Sequence, residues 1–248
     1  MNLPPIYGRD AELEQLRKLL SRRHSLLLYG PTGAGKTLLL TTLIKDFSGA
    51  LYCKDSSGSQ IVFRTLVAEL WAKKNHRVLH ACGKSGLAAI KDKSAVSIRG
   101  IVIEALREAS YWIVLDHLQC PSQSFATALK DLCSGTTTPL VAAARSAHME
   151  DVGFLLPMFP DRSDRLALND FDLDTARQFA LQTARQMKLD AANQEEVIDK
   201  IVHYSQGNPG AIRAMLEMAA NPKYIAQQQV RLVPLYIDFR LRWGTTHG

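Results

Sequence analysis

Two spacings of apolar residues alternate along this chain. In "GRDAELEQLRKLLSRR", Leu13, Leu16, Leu19 and Leu20 share one helical stripe, which predicts an amphipathic helix. The next apolar stretch, "HSLLLYG", is short and continuous, the pattern of a strand buried on both faces. The same succession then repeats. "TLLLTTLIKDF" predicts a helix, "ALYCK" a second strand, "SQIVFRTLVAELWAKK" and "IRGIVIEALREA" further helices, and "YWIVLD" a third strand. "SFATALKDL" reads as a helix, "PLVAAA" as a fourth strand and "RLAL" as a fifth. Residues 75 to 99 are polar and basic with little periodicity and read as an irregular segment. Strands that alternate with helices imply an α/β fold, a parallel sheet with flanking helices.

After residue 171 the strand pattern stops. "LDTARQFALQTARQMK", "NQEEVIDKIVHYS" and "GAIRAMLEMAA" predict three helices, so a boundary is expected near Asp170. The expected organisation is a core over residues 1–170 and a small helical lid with a tail over 171–248. In the tail, "QQQVRLVPLYIDFRLRW", Pro234 is expected to interrupt any single helix.

Composition narrows the class. With 248 residues and 46% hydrophobic content, the chain can bury a sizeable core. No apolar stretch approaches the roughly 20 residues of a membrane span. "MNLPPIYGRD" lacks the basic start and apolar run of a secretory signal, so a cytoplasmic location is expected. Cys53, Cys82, Cys120 and Cys133 form no CxxC pair and read as reduced thiols. A net charge of +6 and a pI of about 9.2 favour a polyanionic partner without requiring one.

The most specific chemistry lies in "GPTGAGKT", which satisfies GxxxxGK[ST] between an apolar strand and a helix. Backbone N–H groups of Gly30, Pro31, Thr32, Gly33, Ala34, Gly35, Lys36, Thr37 and Leu38, proline excepted, form the candidate cradle for the phosphates of ATP, aided by the helix N-terminus. Lys36 is expected to reach the β- and γ-phosphates, and the Thr37 hydroxyl to bind Mg²⁺. Asp116 ends the apolar strand "YWIVLD", where a second Mg²⁺-holding acid belongs.

These motifs, with Arg145 after "PLVAAA", "GNP" at Gly207 to Pro209 and the opening "IYGRDAELEQLRKLL", resemble the AAA+/STAND branch of P-loop ATPases, including its ORC-like and TniB-like members, over roughly residues 5 to 220. The resemblance implies that Ile6 and Tyr7 line an adenine pocket and that Pro209 lies against the base. It also implies that Arg145 senses the γ-phosphate. Arg162 or Arg165 would reach a neighbouring subunit's nucleotide in an ATP-dependent homo-oligomer; the alternative is a solvated arginine at each. Two departures stand out. Gly210 occupies the position of the usual second sensor arginine, with Arg213 one turn further on. Fewer residues follow Ala220 than the winged-helix domain of STAND proteins needs.

His117 follows Asp116 where a water-orienting acid usually stands. Neutral imidazole accepts a hydrogen bond through one ring nitrogen, so His117 is able to orient water, without a carboxylate's charge. Gln119 is the other candidate, placed differently by strand alternation. Lys73, Lys74, Arg77, Lys84, Lys91, Lys93 and Arg99 crowd the segment around 75–99, either as a solvated loop or as a track for a DNA backbone. His76, His80 and Cys82 lack an evident fourth metal ligand. The sequence thus points to an ATP- and Mg²⁺-binding ATPase that hydrolyses slowly and acts as a nucleotide-controlled assembly switch. The expected output is DNA-associated regulation of the transposition or origin-binding type, or a STAND-like signalling or defence role on a partner protein. A solitary metabolic enzyme is a third class, and no acceptor pocket or base for a kinase is visible.

Overall fold

A computed structural model describes residues 6–247, with side chains as far as Trp243. The chain forms two compact units. One contains Ala11–Gly30 and Lys36–Ala167; the other contains the stretch up to Asp10, Pro31–Gly35 and the chain from Leu168 onward.

The first unit is built on a five-stranded parallel sheet. Its strands are β1 (Leu26–Tyr29), β2 (Ala50–Cys53), β3 (Trp112–Leu118), β4 (Leu140–Ala144) and β5 (Arg165–Ala167), in the order β2-β3-β4-β1-β5. The first four coincide with apolar runs of the sequence, and β5 with the short stretch "RLAL". The runs are continuous rather than alternating because helices cover both faces, and all five residues of β4 are buried. The helices are α1 (Asp10–Ser21), α2 (Lys36–Asp46), α3 (Ser59–Ala72), α4 (His76–Cys82), α5 (Ala95–Arg107), α6 (Gln123–Thr136) and the single turn α7 (Met149–Val152). Leu66 and Leu70 of α3, Val102 and Leu106 of α5, and Leu129 of α6 bury fully or nearly so against Leu51, Ile113 and Leu115 of the sheet. Burying a leucine contributes about 1.5–3 kcal/mol.

The segment 75–99 is not irregular. Asn75 caps α4 by accepting from the backbone N–H of Arg77 and Val78 at 3.1 and 3.2 Å. A 3-10 stretch, Gly83–Ile90, follows, and Ser94 caps α5. Val78, Cys82 and Ile90 are spaced across kinks at Gly83 and Gly86, so their burial on one core leaves no single period in the sequence.

The second unit has its own core. Helices α8 (Leu173–Gln186), α9 (Gln194–Ser205), α10 (Pro209–Ala219) and α11 (Leu232–His247) pack through Ala176, Ala180, Ala184, Ile198, Ile201, Ile212, Leu216, Leu235 and Phe239. The three alanines at i, i+4 and i+8 of α8 let its neighbours approach closely. Asp172 caps α8, accepting from Thr175 N–H at 2.8 Å. The strand pattern does not stop at residue 171: β6 (Ile225–Ala226) and β7 (Gln229–Val230) form a two-residue hairpin. Its turn residues, Gln227 and Gln228, both have positive φ (50° and 61°) and lack the usual Asn-Gly signature. Pro234 does not interrupt α11. It is the third residue of that helix, where an N–H would have no partner within the helix.

Candidate nucleotide-binding site

In the first unit, residues from α2, β2 and β3 meet at the C-terminal edge of the sheet. Lys36 opens α2 and donates from Nζ to the Gly30 carbonyl at 2.7 Å. Thr37 Oγ1 lies 3.4 Å from His117 Nε2, and that nitrogen lies 3.7 Å from Asp116 Oδ2. Strict strand alternation would send residues 116 and 117 to opposite faces. Instead, the β3–β4 register shifts between Leu115 and Leu118, and His117 adopts φ 53°. This bulge brings the imidazole back toward the carboxylate side, a known use of bulges beside functional sites. Asp116 is 1% exposed, whereas the His117 side chain is 60% exposed.

The Asp116 carboxylate is held at both oxygens. Oδ1 accepts from its neighbour's backbone, His117 N–H, at 2.9 Å, and Oδ2 accepts from the Tyr52 hydroxyl at 2.8 Å. Ser56 Oγ donates to the Asp116 carbonyl at 2.8 Å. Burial, reinforced by the Asp116 carboxylate, holds the Tyr52 phenol well above its ordinary pKa, so it remains a donor. Thr37 and Asp116 therefore offer oxygen donors within reach of one imidazole, a set suited to a hard divalent cation such as Mg²⁺.

In the second unit, Pro31–Gly35 is gripped by residues far away in sequence. Asn208, the N-cap of α10, accepts from Ala211 N–H at 3.0 Å and donates from Nδ2 to the Thr32 carbonyl at 2.9 Å and to Asp170 Oδ1 at 2.8 Å. Gly210 N–H donates to the Gly33 carbonyl at 2.9 Å. Both glycines are required. Gly33 has φ 86°, and a Cβ on it would lie 2.3 Å from Asn208 Oδ1; a Cβ on Gly210 would lie 2.7 Å from Gly33 Cα. The position that resemblance assigns to a sensor arginine is thus a backbone-to-backbone contact with the phosphate loop. Buried Arg9 donates to the Ala34 carbonyl at 3.3 Å and lies over the Phe171 ring, 4.5 Å from its centroid. Tyr7 packs with Phe171 and Phe179 (6.4 and 5.6 Å between centroids) and donates to Gln178 Oε1. Ile6 is half-buried, and Pro209 opens α10 immediately after Asn208.

The sequence that carries the glycine-bearing loop, the lysine, the threonine and the strand-end aspartate is also matched at the level of family. Residues 5–143 match the family described as AAA ATPase domain, more than half of the chain. The chain belongs to the AAA ATPase domain family. Members of this family bind ATP with Mg²⁺. No curated protein sequence matches this AAA ATPase. Among solved structures, the Walker-type ATPase PabY2304 of Pyrococcus abyssi superimposes with a TM-score of 0.62 at 17% identity, over 97% of this chain and 75% of that one. The ORC1 protein of Aeropyrum pernix, solved in complex with DNA, gives 0.61 at 18% identity, over 97% and 67% of the two chains. Domain III of the Thermotoga maritima replication initiation protein DnaA gives 0.57 at 16% identity, over 94% and 92%. At these identities the likeness is one of fold.

The remaining candidates are spread over the first unit. Arg145 follows β4 and pairs through Nε with Asp151 Oδ1 at 3.3 Å. Arg162 is exposed in a 3-10 turn, and Arg165 begins β5, donating from Nε to the Phe159 carbonyl at 2.8 Å. Both sit toward the N-terminal ends of the strands, whereas Lys36, Asp116 and Arg145 follow or occupy C-terminal ends. Gln119 is exposed beyond the end of β3. His76 Nε2 lies 2.8 Å from Glu108 Oε2, whose other oxygen takes Arg77 Nε at 2.6 Å. Among the described residues no cluster of three or more His, Cys, Asp or Glu is disposed to hold a metal. No helix among them is long and apolar enough to cross a membrane. All four cysteines are free, with Cys120 exposed and the others buried.

Tyr52, Asn208 and Arg9 did not emerge from sequence reasoning. Tyr52 lies within the strand "ALYCK", whose pattern marks no functional residue, and Asn208 is the middle residue of "GNP", where the resemblance assigns a role to the proline alone. For Arg9 the signal is the Gly8-Arg9 pair in the opening "IYGRDAELEQLRKLL"; its burial and partners come only from the fold.

Proposed function

We propose that this AAA ATPase is a Mg²⁺-dependent, slowly hydrolysing ATPase that acts as a nucleotide-controlled assembly switch on DNA. The observation that carries the catalytic part is the contact of His117 Nε2 with Thr37 Oγ1 at 3.4 Å, beside a carboxylate anchored at both oxygens. Lys36 and the loop N–H groups bind and orient the triphosphate. Thr37 Oγ1 and the Asp116 carboxylate would hold Mg²⁺, which would supply charge neutralisation for the phosphates. His117 accepts a hydrogen bond from the attacking water. Because an imidazole does not supply a carboxylate's negative charge, turnover is slow and the bound-nucleotide state persists. Arg145, held by Asp151, is the candidate to read the γ-phosphate on the same edge, and Arg162 or Arg165 the candidate to act on a neighbouring copy.

The DNA reading draws on the basic surface on and beside α4 and its 3-10 extension, where Lys74, Lys84 and Lys91 are exposed. It draws also on the ORC1 neighbour, whose structure was solved with DNA. Visualising particles with a non-hydrolysable ATP analogue, with and without duplex DNA, tests both halves. ATP-dependent assembly on DNA that weakens with salt is the expected result. Assembly indifferent to DNA would instead support a STAND-like role on a protein partner, and a monomer under all conditions would refute the switch. For the site itself, Asp116→Ala is expected to impair Mg²⁺-dependent hydrolysis more than ATP binding. An unchanged rate across a Mg²⁺ titration would remove Asp116 from the site.

A further inference from the structure

We infer that Tyr52 is a positioning residue of this ATPase: it presets the Asp116 carboxylate for the nucleotide-bound metal ion. The inference rests on the reading of Asp116 as the acid that holds Mg²⁺.

Strand register brings the pair together. Tyr52 of β2 is paired with Val114 of β3, and Asp116 follows Val114 by two residues, so Tyr52, Val114 and Asp116 share one face of the sheet. From there the Tyr52 hydroxyl reaches diagonally to Asp116 Oδ2 at 2.8 Å. Oδ2 is also the oxygen 3.7 Å from His117 Nε2, the imidazole that meets Thr37 Oγ1. The Asp116 oxygen beside the imidazole that meets Thr37 is therefore the one that Tyr52 holds. A carboxylate oxygen has two lone-pair directions, so Oδ2 can accept from Tyr52 and still accept from a water of the ion's hydration shell. With His117 N–H on Oδ1, the carboxylate plane is fixed at both ends before ligand arrives. Without the phenol, the carboxylate plane turns about its χ2 torsion on a single remaining hydrogen bond, and the order that Tyr52 supplies must be gained on binding the ion. Outer partners of metal-binding groups typically change metal affinity about 10–100-fold.

The test separates positioning from packing. Tyr52→Phe removes one oxygen and keeps the ring, and unliganded melting checks that the fold is intact. Binding of Mn²⁺ to the ATP-loaded protein is read by electron paramagnetic resonance, which needs no turnover. ATP affinity is read separately in EDTA with a fluorescent analogue. Expected is an approximately tenfold weaker Mn²⁺ affinity for Tyr52→Phe, with ATP affinity in EDTA changed less than about twofold. In an Asp116→Asn background, adding Tyr52→Phe should change Mn²⁺ affinity by less than about twofold, because the two residues act as one unit. An equal loss in both backgrounds would show that Tyr52 acts elsewhere and would overturn the inference. Wild-type Mn²⁺ affinity in Tyr52→Phe, with a clear loss in Asp116→Asn, would overturn it while leaving the site reading intact. No loss in Asp116→Asn would instead defeat the assignment of Asp116, and the inference with it.

Discussion

Asn208 offers a quantitative test of how the phosphate loop is held. Its side chain makes three hydrogen bonds: it caps α10 at Ala211 N–H and donates to Thr32 O and Asp170 Oδ1. The oxygen faces a donor and the nitrogen faces two acceptors, so only one orientation of the amide satisfies all three. Asn208→Ala loses the cap, about 1 kcal/mol, and two donations of about 1 kcal/mol each, the one to a carboxylate at the upper end. Water recovers part of this at Asp170, which is only half-buried. The expected loss is about 2–3 kcal/mol, or a fall in Tm of about 5–10 °C for a chain of this size. Asn208→Asp retains the cap but turns an oxygen toward Thr32 O and Asp170. Repulsion raises the new carboxyl's pKa in the folded state above its unfolded value, about 3.9. The folded variant then binds more protons than the unfolded chain, so its stability is fullest below the unfolded pKa and falls as pH rises through the folded one. At neutral pH Asn208→Asp should be less stable than Asn208→Ala, with the gap closing as pH is lowered toward about 4. Urea denaturation across pH measures both. A loss below about 0.5 kcal/mol for Asn208→Ala, or an aspartate variant as stable as the alanine variant at neutral pH, would refute this account of the grip on Thr32.

Three further outcomes are expected. ATP with Mg²⁺ should raise the Tm of the wild type, since a ligand that binds only the folded state stabilises it by RT ln(1 + [L]/Kd); Lys36→Ala should abolish the shift, and its persistence would remove Lys36 from the site. His117→Ala should slow ATP turnover while leaving ATP affinity nearly unchanged, and His117→Glu should restore or exceed the wild-type rate; equal single-turnover rates for His117→Ala and wild type would make this histidine a spectator. Burial pushes the Cys53 and Cys133 thiols up to about 12, so at pH 8 they stay protonated, and the exposed Cys120 should react first with a thiol reagent; Cys120→Ser should remove that fast phase in a colorimetric thiol titration, and its survival would contradict the burial of the other thiols.

What the sequence determined by itself is whatever short-range pattern encodes. Four continuous apolar runs, buried because helices cover both faces of the sheet, and the short edge stretch "RLAL" marked the five strands, and helical stripes marked α1, α3, α5 and α8 to α10. "GPTGAGKT" was legible because a phosphate cradle is a local object, made of consecutive N–H groups between one strand and one helix. What only the tertiary structure decided depends on partners distant along the chain. The direction of His117 is set by a register shift against β4, which strand alternation within β3 does not anticipate. Tyr52 acquires its contact with Asp116 because β2 lies beside β3, 64 residues away, and strand order is a long-range property. Asn208 and Gly210 meet Thr32 and Gly33 across roughly 176 residues, so their fit, including the close approach that excludes any side chain at Gly33 or Gly210, leaves no periodic trace. The segment 75–99 looked irregular for a related reason: caps at Asn75 and Ser94 and kinks at two glycines break one period into short pieces whose buried residues converge only on a core supplied by the rest of the chain.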